Sequence, residues 1–200
     1  PCDLELIIPF FDDNNINFSL EAFDAYTADF QVLRNQSQGL IYDNYQPNIN
    51  SYRIIGENIS GSISFMRNFL IGVIKYNSVI YELKQIEGNT YALFNVNKST
   101  SLSNFSCHTV SQNVTLENPQ PLGQPLGGGQ CVEMGIDIDY YTYNSFNNNC
   151  YEAVEWALAL LAGVSEVYMA ELDDMINLQA RYINVWEIED NYSLWPDSLD

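Results

Sequence analysis

Basic residues are scarce in this chain. Seven of its 200 residues are Lys or Arg, against 26 Asp or Glu, for a formal net charge of −19. Nucleic acid is not expected as a partner on that ground, because a phosphate backbone needs cations to displace its counterions. An anionic membrane surface is disfavoured for the same reason. Histidine is scarcer still: His108 stands alone. Without further His, neither a His-rich zinc site nor a Ser-His-Asp triad elsewhere in the chain can be built. Long apolar runs are also missing. None reaches the ~18–20 residues of a membrane span, so no membrane insertion is expected. No charged-then-apolar leader is present, and Pro1 is not an initiator Met, so a chain trimmed or excised from something longer is expected. What the chain does have is 46% hydrophobic and 14% aromatic residues, enough for a packed core.

Charge is uneven along the chain. Residues 1–118 hold six bases, whereas residues 131–200 hold only Arg181 against fourteen acids. Three prolines and four glycines fall within 118–130, a composition that suits neither helix nor central strand. The expected organisation is therefore a first unit at 1–117, a linker at 118–130 and a second unit at 131–200. Four cysteines (Cys2, Cys107, Cys131 and Cys150) allow two disulfides in three connectivities. Glycosylation sequons begin at Asn17, Asn35, Asn58, Asn97, Asn104, Asn113 and Asn191, several of them expected by chance in so Asn-rich a chain. Cysteines and charge together favour an extracellular, secreted setting.

The first unit reads as strands and turns. Leu4–Phe10 carries a proline and suits a sheet edge. Ser19 before Leu20-Glu-Ala-Phe-Asp-Ala predicts a short capped helix. Thr27–Leu33 alternates. From Tyr52, five strand-length segments are separated by turn residues at 56–58, 67–68, 76–78 and 87–89. Such short spacers predict an antiparallel meander.

The second unit reads as strand, helix, strand. Val132–Asp139 alternates cleanly. A Tyr/Asn-rich loop follows. Cys150–Glu171 then has helical spacing, with Asn149 or Asn148 as cap and apolar residues on two faces, so a largely buried helix is expected. Met175–Trp186 returns as a strand. Strand–helix–strand predicts a right-handed crossover between parallel strands. One such unit is an incomplete sheet, so its edge is expected to need the missing remainder or another chain.

A resemblance attaches to this second unit. Cys131-Val-Glu-Met-Gly-Ile-Asp-Ile-Asp139, Tyr143, Phe146, Val164-Ser-Glu-Val-Tyr168, Ile176-Asn-Leu-Gln-Ala-Arg-Tyr-Ile-Asn-Val-Trp186 and Asp190-Asn-Tyr192 resemble, in order, the start of a reprolysin (adamalysin-like) zinc metalloprotease domain. Ser51–Gly56, Gly61–Phe65, Leu70–Ile74 and Thr90–Phe94 are similar to the β-rich propeptide of that family. The resemblance implies an α+β chain: an antiparallel β-rich propeptide-like domain, then a βαβ unit that is the first part of a zincin-like domain. It also implies zinc in the parent protein and a protein or peptide substrate. The family's H-E-x-x-H-x-x-G-x-x-H motif is absent from this chain, so the zinc ligands would lie outside it and the chain alone should not hydrolyse peptides.

Two residues are candidate metal ligands under the resemblance. Cys107 is placed where a propeptide thiolate caps zinc; the alternative is a disulfide. Glu133 matches an acidic position that ligates calcium in some members; the alternative is a solvated strand face. The spacing of Asp137 and Asp139 suits a glycosidase carboxylate pair, but exposed Asp pairs commonly share it by accident. Cys131 opens a strand spanning ~26 Å and Cys150 opens the helix expected near its far end, so a bond between them would need the loop 140–149 to double back; Cys107 is expected to pair with Cys131 or Cys2 more readily. Arg181 is expected beside Glu133 or Asp137 on a partly covered face, sharing that face with Ile183, and to matter more for stability than Arg53. Two functions remain: the latent amino-terminal region of a secreted zinc metalloendopeptidase, or a non-catalytic extracellular structural or adhesion module derived from one.

Overall fold

The computed structural model describes residues 4–9, 15–67, 69–88, 90–96, 130–172 and 176–189. Its strands are β1 (Leu4–Pro9), β2 (Asn15–Phe23), β3 (Tyr26–Gln36), β4 (Gly39–Asp43), β5 (Ile49–Gly56), β6 (Ile59–Met66), β7 (Leu70–Tyr76), β8 (Val79–Glu87), β9 (Thr90–Asn95), β10 (Gln130–Ile138) and β11 (Ile176–Trp186). Its helices are α1 (Tyr140–Ser145) and α2 (Cys150–Glu171). The architecture is α+β and mostly antiparallel sheet.

Seven strands form one sheet in the order β1-β2-β5-β6-β7-β8-β9, every pair antiparallel. This is the expected meander, pinned by tight turns. Asn58, Asn77 and Ser78 adopt positive φ of 59°, 47° and 67°, the backbone that two-residue hairpins need. The predicted helix at 20–25 is instead the end of β2, through Phe23, and the two residues that lead into β3. Ile16, Phe18 and Leu20 alternate with exposed neighbours, and that period of two outweighs the Ser19 cap signal. These residues join Ile54, Ile59, Ile63, Ile74 and Leu83 in a core on the inner face of the curled sheet. Gly61, at φ 135°, is obligatory there: a Cβ would stand 1.9 Å from the Val73 carbonyl oxygen of the next strand.

The second sheet has the order β10-β11-β3-β4. β10 and β11 are parallel, as the strand–helix–strand pattern predicts. The β11 edge, expected to need residues from elsewhere, is taken by β3 in parallel, and β4 closes on β3 as a hairpin. Strands from either side of 118–129 thus share one sheet. The expected linker itself lies outside the described residues, apart from Gln130 at the start of β10.

Helix α2 lies between the two sheets. A single core joins Val32, Ile49 and Met66 to Val154, Leu158 and Leu161 of the helix and to Ile138, Ile183 and Val185. The outer face of β6 presents the small buried side chains Ser62 and Ser64 beneath the helix, and Ser51 of β5 bonds Ser64 at 2.9 Å between the two Oγ atoms. Asn149 caps the helix, its Oδ1 accepting from Glu152 N at 3.3 Å. The segment 140–145, read as loop, is the short helix α1, because the Asp139 carboxylate caps it by accepting from Thr142 N at 2.7 Å. By length and composition Cys150–Ala170 would cross a bilayer, with a mean hydropathy of 1.4 despite its interspersed acids; in this fold 56% of that stretch is buried against protein.

Candidate functional site: a groove beside an edge strand

Sequence dictates the two walls of the site. β10 alternates Met134, Ile136 and Ile138 toward α2. From α2, Trp156, Leu160, Leu161 and Val164 face back at helical spacing. Between the walls runs an open groove of about 640 Å³, also lined by Trp186 and Thr142. Among the described residues its only charged ones are Asp137 and Asp139. The helix was expected to be buried on both apolar faces. Instead Leu160, Val164, Val167 and Tyr168 remain 43–54% exposed, because β10 ends the sheet and nothing described covers that stripe.

The other conspicuous cluster sits at the carboxyl ends of β3 and β11 and the start of α2. Arg34 Nε donates to Glu187, and its Nη1 lies 3.2 Å from Asp43. Glu187 also accepts from Gln36 Nε2 at 2.7 Å. Tyr151 donates to Asp43 at 3.1 Å, stacks on Tyr45 at 4.1 Å and lies beneath the Arg34 guanidinium. Tyr45 OH in turn donates to buried Glu155, which also accepts from Asn48 N at 3.1 Å. Burial, and then the bond to Glu155, hold the Tyr45 hydroxyl well above the ordinary phenol range. The Glu187 hydrogen bond keeps Arg34 firmly protonated. Cys150, 4% exposed beside this network, has its thiol pushed up to about 12 by burial, so it is no nucleophile at neutral pH. These groups satisfy one another. The cluster fastens β3, β4, α2 and the end of β11 together, and its acids are engaged in internal bonds.

The sequence-predicted residues divide accordingly. Cys107 and His108 lie outside the described residues. Glu133 is on the exposed far face of β10, where its carboxylate meets Arg181 Nη1 at 2.7 Å. Arg181 also reaches Asp29 of β3 at 3.0 Å, a partner invisible before β3 was known to flank β11. The Glu133 pairing is as expected, but the setting is not: both side chains are about half exposed. Arg181 is moreover the extra residue of a bulge in β11, between Ala180 opposite Met134 and Tyr182 opposite Gly135. Alternation therefore breaks, and Ile183 turns inward while Arg181 stays out. Asp137 accepts from Asn184 Nδ2 at 2.5 Å and Asp139 caps α1, so each is engaged in a local structural bond. Cys131 is exposed, Cys150 is buried, and they are not joined.

The partly buried ion pair is elsewhere. Arg53 Nε meets both carboxylate oxygens of Glu166 at 2.9 Å, tying the curled sheet to α2. Sequence reasoning missed this pair, because the two residues are 113 apart in the chain. Glu166 does break the apolar pattern of α2, and that was the available signal.

Among the described residues no three His, Cys, Asp or Glu side chains come together to hold a metal. Compared with known proteins, the chain matches no family model and no curated sequence.

Proposed function

We propose that this chain is the latency and folding region of a secreted zinc-dependent metalloendopeptidase: a propeptide-like shield joined to the first βαβ unit of a zincin-like domain, inactive by itself. The reading begins from the resemblance carried by Cys131–Asp139 and Ile176–Trp186. The observation that supports it is the parallel pairing of β11 with β3. Through that pairing the amino-terminal part supplies the neighbouring strand of the βαβ unit, together with core residues Phe30 and Val32. A shield that lends a strand to its client assists folding and stays bound after the connection is cut. The alternative, a non-catalytic extracellular structural or adhesion module, has in its favour that the carboxylates around Arg34 are consumed in internal bonds.

The test is on the natural full-length polypeptide purified from its source. The expected result is stoichiometric zinc by mass spectrometry, with peptide hydrolysis appearing after removal of the amino-terminal part. A polypeptide without zinc and without H-E-x-x-H after Asp200 leaves the structural module standing and sinks the protease.

A further inference from the structure

We infer that the groove between β10 and α2 binds an extended protein segment from outside these 200 residues, one that adds as a strand to β10 and carries apolar residues alternating with Lys or Arg.

Three observations carry this. First, among the described residues β10 is the edge of its sheet, so every second residue turns its N–H and C=O away from β11 toward a position that no described strand fills. The edge carries acids, Glu133 and Asp137, rather than the Lys, Pro or bulge that commonly blunt an edge strand. Gln130–Ile138 holds no Lys or Pro, and the bulge lies on β11 rather than on β10. Second, the groove beside that edge is floored by Ile136, Leu160, Leu161 and Val164 and flanked by Trp156 and Trp186. An added strand would place alternate side chains there, which is how strand addition obtains specificity. Third, the charge is one-sided. Among the described residues Asp137 and Asp139 are the only charges along the groove, in a chain of net charge −19. A base-bearing segment is attracted to such a surface, whereas a second copy of this chain would be repelled.

The inference stands apart from the metalloendopeptidase reading, since the zinc content of a longer polypeptide leaves it unchanged. Its test uses the 200-residue chain and three short synthetic peptides: alternating Val and Lys, alternating Val and Glu, and alternating Ser and Lys. The Val–Lys peptide is expected to change tryptophan emission on titration, to slow hydrogen exchange of the β10 amides, and to bind at least tenfold more tightly than either counterpart. Leu160→Lys and Val164→Lys place a charge on exposed positions of α2. They should abolish binding while leaving circular dichroism and the urea midpoint unchanged. Asp137→Asn should weaken binding and reduce its salt dependence. Equal binding of the Val–Glu peptide, binding without protection of β10, binding undiminished in both lysine variants, or no binding at all would each overturn the proposal. So would a dimer in sedimentation that the lysine variants dissociate, because the occupant would then be a second copy.

Discussion

Arg53 and Arg181 carry the same charge into different surroundings. Arg53 grips Glu166, whose side chain is only 8% exposed, and covers Phe23; Arg181 meets Glu133 and Asp29 in the open. Removing one partner of a buried pair leaves the other charge stranded, whereas exposed pairs contribute little. Arg53→Met should therefore destabilise the protein by about 2 kcal/mol, while Arg181→Met barely moves the urea midpoint. This reverses the order expected from sequence, and equal shifts in the two variants would refute it. Cys150 supplies a pH prediction. Burial raises its thiol to about 12, from an ordinary value of 9.0. The folded state therefore holds the proton more tightly, so stability is complete below pH 9 and falls as pH rises toward 12. Cys150→Ala should flatten that alkaline loss. The check is urea unfolding at about pH 8 and about pH 10.5, below and above the unfolded thiol's pKa; identical losses in wild type and variant would count against it.

At the scale of elements, the joint between α2 and β11 depends on one hydroxyl. Ser165, fully buried, accepts from Leu178 N at 2.9 Å and donates to Asn177 Oδ1 at 2.9 Å. Ser165→Ala leaves a buried backbone N–H without its acceptor and should cost about 1–3 kcal/mol, with faster amide exchange at Leu178. Ser165→Thr restores the hydroxyl, though its extra methyl must find room. Between β6 and β7 the constraint is steric. Gly61→Ala drives a methyl into the Val73 carbonyl, at a backbone angle that L-residues avoid. It should lower the urea midpoint by more than any surface variant, or prevent folding. Gly135→Ala provides the contrast. There the obstructing group is the ring of Tyr182, 42% exposed and free to swing out, so the loss should be slight.

At the scale of the whole molecule, the common core of the two sheets predicts a single unfolding transition. Phe30, Val32, Ile49 and Met66 from before residue 118 pack with Leu158, Ile183 and Val185 from after it. Cleavage within 118–129 should therefore leave two fragments that co-elute in gel filtration and separate only in denaturant. Residues 131–200 expressed alone should fail to fold, because the β11 edge and the β6-facing side of α2 would both be bare. Two resolved calorimetric transitions, or fragments that separate under native conditions, would show that the shared sheet does not hold.

Alternation and spacing by themselves determined the local structure. The meander from Tyr52 to Val96, the limits of α2, its Asn149 cap and the parallel pair β10–β11 were all legible, because each depends on residues near one another in sequence. Only the tertiary structure decided what lies beside what. β2 is a strand because Ile16, Phe18 and Leu20 line the inner face of the curled sheet, an influence stronger than one capping serine. β3 and β4 complete the second sheet, a pairing between segments some 150 residues apart that no local pattern encodes. The groove was hidden for the same reason. Leu160, Val164, Val167 and Tyr168 look like core in the sequence, and they are left uncovered only because β10, a regular strand with no described neighbour on one side, ends the sheet beside them.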